Sequence, residues 1–406
     1  MSALFDELDR QVETVVKLQR ELTAIPALGP KNGGEGEKAK ADYLLEQLKN
    51  MGLQDIREFS APDPSVPCGF RPNIAAVIPG EDQSRTLWVI SHMDIVPVGD
   101  LSLWESDPFD MVRNDDILIG RGVEDNQQGI VSSLIAAKAM LDLSITPKIN
   151  FGLLFVADEE TGSEFGLDYV VNAHKDLFGP DDMFLVPDSG EPTGEMVEIA
   201  EKSMFWLKIM VQGKQCHAST PEQGVNAMVP AAAMILKLKE LENVFDAEDS
   251  LFSPPRSTFQ PTKREANVEN INTIPGSDVF YLDSRVMPQY TLDEVMDKIR
   301  EYGVMIEKEY GVTVSYEKVM WEQAAPSTPV DSEIVKKVME SVRRVYGNNP
   351  RPMGVGGGTV AAFLRRKGYH AVVWATLYHN AHQPNESASI KNAIGDAKVI
   401  ADMLLS

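Results

Sequence analysis

"TLWVISHMD", residues 86–94, decides how this chain is read. Thr86 to Ser91 is an apolar run with β-branched residues, the composition of a buried strand. His92 and Asp94 stand at its end. Residues two apart on a strand point to the same face, so the two side chains project together where the strand runs out. Taken alone, the pair reads equally well as a surface histidine with a neighbouring carboxylate. The rest of the chain decides between the two.

Three more stretches read as strands: "NIAAVIPG" (73–80), "INFGLLFVADEE" (149–160) and "MFLVPDSG" (183–190). Between and around them, residues near 4–24, 36–51 and 127–143 have helical spacing. Strands alternating with helices predict an α/β fold, with a mixed, mostly parallel sheet and flanking helices. Three of these strands end in acids or a histidine. In open α/β sheets ligands bind beyond the carboxyl ends of the strands.

The pattern changes after about Lys202. "MFWLKIMVQG" (204–213) and "DVFYLDSRVM" (278–287) read as strands with clearer alternation, and 226–244 and 292–303 read as helices. The order β-α-β-β-α-β predicts a compact α+β sandwich. "WEQAAPSTPVDSE" (321–333) reads as a linker back. A helix, the glycine cluster "GVGGGT" (354–359), a strand and a last helix follow it. The expected organisation is a split α/β domain, residues 1–202 and 324–406, with a smaller domain inserted at 203–323. Hinges are expected near Lys202 and Pro326.

The formal net charge of -23 over 406 residues argues against general nucleic-acid binding and against adhesion to an anionic membrane. It leaves room for a local basic pocket. The two cysteines, Cys68 and Cys216, make no disulfide framework and suit a reducing cytosol. The first residues are charged and lack the apolar core of a signal peptide, and no run approaches a membrane span. A cytoplasmic protein is expected.

Five acid or histidine sites line up in chain order: His92 with Asp94, Asp125 in "GRGVEDNQQG", Glu159–Glu160 in "ADEETGS", Asp188 in "VPDSG" and His382 in "HQPNES". Mixed imidazole and carboxylate donors suit zinc, with cobalt or manganese as substitutes. Such a set holds two ions about 3.5–4 Å apart when one carboxylate bridges them.

These five motifs, in this order, resemble those of a di-zinc metallopeptidase and deacylase family. Its members include aminoacylase, acetylornithine deacetylase, succinyl-diaminopimelate desuccinylase, glutamate-releasing carboxypeptidases and carnosinase-like dipeptidases. The likeness runs over nearly the whole chain and implies a zinc exopeptidase-like fold with an inserted lid and dimerisation domain. It implies that His92 and Asp188 bind one metal, that Glu160 and His382 bind the other, and that Asp125 bridges both. Asp94 then orients His92 without ligating, and Glu159 is the general base acting on a water held between the two zinc ions. The resemblance also implies a cis Asp125–Asn126 peptide. Of the two histidines in "YHNAHQPNES", His382 precedes the expected Asn-Glu pair, which leaves His379 a structural role. His174 and His370 lie in no motif.

The inserted domain carries the substrate-facing candidates. From its surroundings His217 is an exposed loop histidine; the resemblance makes it an oxyanion stabiliser reaching a partner subunit's site, hence a homodimer. Arg285 on a strand is ordinarily salt-bridged. The resemblance assigns it, with Asn272 nearby, to the substrate's terminal carboxylate. Gly357, Gly358 and Thr359 lack the Lys-Ser/Thr of a nucleotide loop; they read either as a flexible turn or as bare backbone that a carboxylate can approach. Cys216 beside His217 does not make a nucleophilic pair, because neighbours on an extended segment face opposite ways. The expected activity is metal-dependent hydrolysis of a small amide or peptide bond next to a free carboxylate. "GVGGGT" looks closer to bacterial dipeptidases than to desuccinylases, which favours a dipeptidase. The alternatives are an N-acyl-amino-acid deacylase and, more remotely, a non-catalytic relative that binds amino-acid-like ligands. The Asn-Gln-Gln after Asp125 departs from the basic or acidic residue of many relatives.

Overall fold

In a computed structural model describing residues 2–406, the run at 86–91 lies inside the strand Asp82–His92 of an eight-stranded sheet. Four central strands are parallel: Ile149–Val156, Asp82–His92, Met183–Val186 and His370–Val373. Apart from the polar starts Asp82–Arg85 and His370 they are largely apolar and buried, as parallel strands covered by helices must be. Phe70–Ile78 and then Asp55–Pro62 extend one side antiparallel. Met196–Glu201, antiparallel to His370–Val373, and Arg351–Val355 complete the other. The sheet is therefore mixed, with a parallel centre.

Register explains one glycine. Trp88 stands opposite Gly152 on the neighbouring strand. A Cβ at 152 would lie 2.3 Å from the indole Cε3, and the indole is pinned because its N–H donates to Asp182 Oδ2 at 2.9 Å. Only a residue without a side chain fits beneath it.

The helix Gln127–Asp142 is apolar nearly all round and accordingly buried nearly all round, with Val12–Thr23 and Ile390–Leu405 packed on it. The first helix departs from expectation. In place of one helix near 4–24 there are two, Ser2–Asp9 and Val12–Thr23. Glu7 draws the break together. Its carboxylate accepts from Arg10 Nη1 at 2.7 Å and Gln11 Nε2 at 2.8 Å, while the backbone N–H groups of both residues turn to carbonyls three positions back.

By contacts the chain separates into two compact units. The first runs to Ile199 and resumes over Ser327–Met353 and Thr359–Ser406; the second is Ala200–Pro326 with Gly354–Gly358. The second unit has an antiparallel sheet in the order Thr258–Arg264, Ser277–Val286, Ser203–Gln212, Thr313–Glu322. Alternate residues of these strands, among them Phe205, Leu207, Ile209, Phe280 and Leu282, form one core with Met234, Leu238, Val295 and Ile299 from the helices Met228–Leu238 and Leu292–Tyr310. A capping box between Thr291 and Glu294 starts the longer helix, and Gly311 in the left-handed region ends it. Among the described residues no helix is long and apolar enough to cross a membrane.

The helix Lys38–Asn50 buries a charge. Lys40 is 1% exposed and its Nζ has no hydrogen-bond partner among the described residues. Burial brings its pKa down to about 8, against the pull of the carboxylates of Asp94, Glu37 and Glu386. Below about pH 8 Lys40 is charged in both folded and unfolded chains, and the folded state bears the desolvation cost. Between there and 10.5 the unfolded chain holds the proton that the folded one has released, so stability contributed by this group rises with pH, by about 3 kcal/mol in all. Lys40→Met should be the more stable protein at pH 8 in urea denaturation, and its advantage should shrink by about that amount by pH 10.5.

Candidate metal centre

Four chain segments bring six side chains, His92, Asp94, Asp125, Glu159, Glu160 and Asp188, together at the carboxyl ends of the parallel strands, a fifth segment supplies His382, and all seven belong to the first unit. Asp82–His92 delivers His92. Ile149–Val156 leads into the short turn Glu159–Thr161, and Met183–Val186 leads to Asp188. Asp125 lies just before the helix Gln127–Asp142, and the Asp125–Asn126 peptide is cis, as the resemblance implies.

Asp125 is the centre of the arrangement. Its Oδ1 lies 2.8 Å from His92 Nε2, and its Oδ2 lies 2.9 Å from His382 Nε2. His92 Nε2 is also 3.4 Å from Asp188 Oδ1, and His382 Nε2 is 3.2 Å from Glu160 Oε1. Two sets of donor atoms therefore share Asp125. Ligand atoms of His92, Asp125 and Glu160 lie within 4.8 Å of one another, and so do those of His92, Glu159 and Asp188. Glu159 thus stands as near to these donor atoms as the candidate ligands do.

The donor chemistry fits cations. The Nδ1–H of His92 donates to the backbone carbonyl of Asp94 at 3.0 Å, which leaves Nε2 to face carboxylate oxygens that have only lone pairs to offer. Four carboxylates, Asp125, Glu159, Glu160 and Asp188, crowd two imidazoles. Burial opposes charge on His92, but Asp125 and Asp188 outweigh it and raise its pKa well above the ordinary value. Asp125, beside Glu160, holds His382 up at about 10. Burial, and then the nearby charge of Asp188, pushes Glu159 well above the usual carboxylate range. Divalent ions between these groups relieve the crowding.

Asp94 does more than the spacing foretold. Its carboxylate stands 3.4 Å from His92 Nδ1, the shorter contact being to its own main-chain carbonyl. The carboxylate accepts the backbone N–H groups of Glu159 and Glu160, each at 3.0 Å. Asp94 thereby ties the histidine strand to the glutamate turn. That turn is flanked by left-handed Asp158, φ 61°, whose carboxylate accepts from Phe165 N at 3.1 Å and pairs with buried Arg71. Arg71 is bound in turn by Glu37.

Several contributors were not singled out by sequence. Asn126 Nδ2 donates to Asp188 Oδ1 at 2.7 Å and to the Pro187 carbonyl at 2.7 Å, so the first residue of the unusual Asn-Gln-Gln positions a ligand candidate. Gln127 accepts from Thr23, and Gln128 donates to Thr376 and Asp396. Glu124 lay unremarked inside a quoted motif, Glu386 served in the sequence only to mark His382, and Arg71 and Glu37 carried no local signal.

The remaining candidates stand elsewhere. His217, Asn272, Arg285, Gly357 and Gly358 belong to the second unit, and Thr359 opens the last segment of the first. His217 is exposed on the two-residue strand Cys216–His217, paired with Thr273–Ile274, and Ala218 N–H donates to the Asn272 carbonyl. Ser219 N–H donates to His217 Nδ1 at 3.1 Å, which places the ring proton on Nε2. Arg285 is held by Asp283 through Nε at 3.0 Å and Nη2 at 3.1 Å, and its Nη1 donates to the Gly356 carbonyl at 2.8 Å. A Cβ at Gly356 or Gly357 would meet open space. Thr359 Oγ1 accepts from Ala361 N–H at the start of the helix Ala361–Arg366. His379 and His370 are exposed, and His174 stacks on Phe59 and Tyr169.

Residues 88–406 match Peptidase family M20/M25/M40. The chain is 41% identical to an uncharacterised metallohydrolase of Methanococcus maripaludis, over 97% of this chain and 99% of that protein. It is 24% identical to succinyl-diaminopimelate desuccinylase 2 of Shewanella loihica, over 92% of this chain and 95% of that one. Its fold is that of aminopeptidase PepT from Bacillus cereus, with a TM-score of 0.76 at 19% identity over 97% and 98% of the two chains. The chain belongs to peptidase family M20/M25/M40 and is a metal-dependent hydrolase with a zinc exopeptidase-like fold.

Proposed function

We propose that this protein is a dinuclear zinc peptidase that hydrolyses small peptides at an amide next to a free carboxylate. The observation that carries this reading is Asp125, which turns one oxygen to each of two histidines, each with its own further carboxylate. His92 and Asp188 would hold one ion, Glu160 and His382 the other, and Asp125 both. When bound, the pair supplies a nucleophile at neutral pH and polarises the scissile carbonyl. Glu159 is the general base: a carboxylate drawn out of water has the proton affinity to accept a proton at Oε and pass it to the leaving amine. Asp94 fixes His92 and the backbone of both glutamates, so the base and its neighbouring ligand keep one spacing.

Recognition falls to the second unit, read as an inserted lid and dimerisation domain over 203–323. His217, with its proton on Nε2, is equipped to donate to a developing oxyanion. Arg285 has three of its N–H groups engaged by Asp283 and Gly356, so of the five on a guanidinium two remain for a substrate carboxylate. Exposed Val229 and Leu236 on Met228–Leu238, with Val304 and Met305 on Leu292–Tyr310, support association of two copies through this unit. Both cysteines are free thiols, which suits the cytoplasm. Similarity to the Shewanella loihica desuccinylase favours a second reading, an N-acyl-amino-acid deacylase on the same centre.

A mixed panel of dipeptides, N-acetyl- and N-succinyl-amino acids, incubated with zinc-loaded protein and read by mass spectrometry, separates the two. Dipeptide cleavage alone makes it a peptidase, release of acetate or succinate makes it a deacylase, and no turnover of any member removes both readings. Glu159→Gln should keep its full metal content by elemental analysis and lose about 10²–10⁴-fold in kcat. Mixing inactive His217→Ala and Glu159→Gln subunits should restore part of the activity, because each hybrid dimer then rebuilds one intact site. Full activity of a monomer by light scattering would remove His217 from the partner's site.

A further inference from the structure

The segments bearing Asp125 and His382 run antiparallel. Ile117–Ile119 pairs with Ser387–Ser389, and Gly120 N–H donates to the Glu386 carbonyl at 3.0 Å. Beyond that point the two backbones part to reach the metal centre, and their amides lose direct partners. Two buried carboxylates take over the ladder. Glu386 accepts Gly122 N–H at 2.9 Å, Glu124 N–H at 2.9 Å and Asp125 N–H at 3.0 Å, and pairs with the buried Arg121 Nη1 at 2.6 Å. Glu124 returns the service: its carboxylate accepts the backbone N–H of Tyr378 and, at 2.8 Å, of Asn380. Both glutamates are buried, 1% exposed or less. These five backbone amides have the two carboxylates as their acceptors.

The clasped loop needs such support. His379, His382 and Asn385 all sit at φ near +60°, a region that side-chain-bearing residues enter rarely. Its neck is closed by Asn380, which binds Ser387 through both amide atoms, and its rim by Asn385, which binds Leu103 and Glu105. His382 itself is 54% exposed, so little packing holds its ring in place. His92 and Asp188, by contrast, issue from neighbouring parallel strands and are fixed independently of this loop.

We propose that Glu124 and Glu386 are reciprocal positioning residues that set the distance between Asp125 and His382, and so govern capture of the ion that Glu160 and His382 would hold more than that of the ion at His92 and Asp188. This rests on the dinuclear reading above. Neither residue touches an ion or substrate; each acts through the backbone of a ligand-bearing segment.

The test is a cobalt titration of the metal-free protein, with ions counted by equilibrium dialysis and their environment followed by visible absorption. The native protein should bind two ions. Glu386→Gln replaces an acceptor oxygen with a donor, and should weaken one binding step about 10–100-fold and the other, which depends on the clasped segment only through Asp125 and Asn126, by clearly less. Glu124→Gln should weaken the same step, and the double variant should be no worse than the more severe single one, since the pair acts as a unit. If Glu386→Gln fails to fold by circular dichroism, Glu124→Gln decides by the same readout. Two ions bound with native affinity in the folded variants, or an equal loss of both, overturns the proposal. Two ions bound by the native protein without turnover of any substrate would remove the proposed function and leave the clasp standing.

Discussion

Carboxylates repel one another, and this chain gathers four of them, Asp125, Glu159, Glu160 and Asp188, around two imidazoles at the edge of a buried core. Everything nearby is arranged to bear that repulsion. Part of the burden falls on hydrogen-bond donors. Asp94 takes two backbone amides, Asp188 takes the amide of Asn126, and Glu386 takes three backbone amides and Arg121. Part falls on buried cations placed behind the ligands, Arg71 against Glu37 and Asp158, and Lys40 without a direct partner. A site of this kind concentrates negative charge, and divalent cations are the natural complement to its field.

The fold makes such crowding possible because it supplies rigid backbone from several directions at one point. The parallel centre of the sheet aims strand ends at a common edge, and each strand is locked by apolar packing on both faces. His92 and Asp188 inherit that rigidity. Asp125 and His382 come from irregular segments and inherit nothing comparable, so their order is built from side-chain carboxylates acting as substitute backbone acceptors. The His92 side of the centre rests on strand packing supplemented by hydrogen bonds to Asp94 and from Asn126, whereas the His382 side rests mainly on hydrogen bonding.

The second unit shows the same economy of charge. Arg285 does not stand as an open cation. Asp283 grips it from the same strand, and it in turn holds the glycine segment through the Gly356 carbonyl. A guanidinium so framed offers direction more than raw attraction.

What the sequence by itself determined is the material of the site. Chemistry-bearing residues at the ends of apolar runs are local features, and strand periodicity carries them directly: His92 after "TLWVIS", Glu159 and Glu160 after "INFGLLFV", Asp188 after "MFLV". The two sheets follow from the same signal. Only the tertiary structure decided how these residues are paired. That Asp125 turns one oxygen to each histidine, that Asp94 serves the glutamate turn as much as His92, and that Arg285 is already matched by Asp283 depend on side-chain directions that no spacing encodes. The break at Arg10–Gln11 escaped for a smaller reason: helical periodicity continues across it, and only the switch of two backbone amides to carbonyls three positions back marks it. The clasp of Glu124 and Glu386 is the clearest case. Its partners lie 254 to 265 positions apart, and a glutamate beside a motif looks no different whether it faces water or a buried amide.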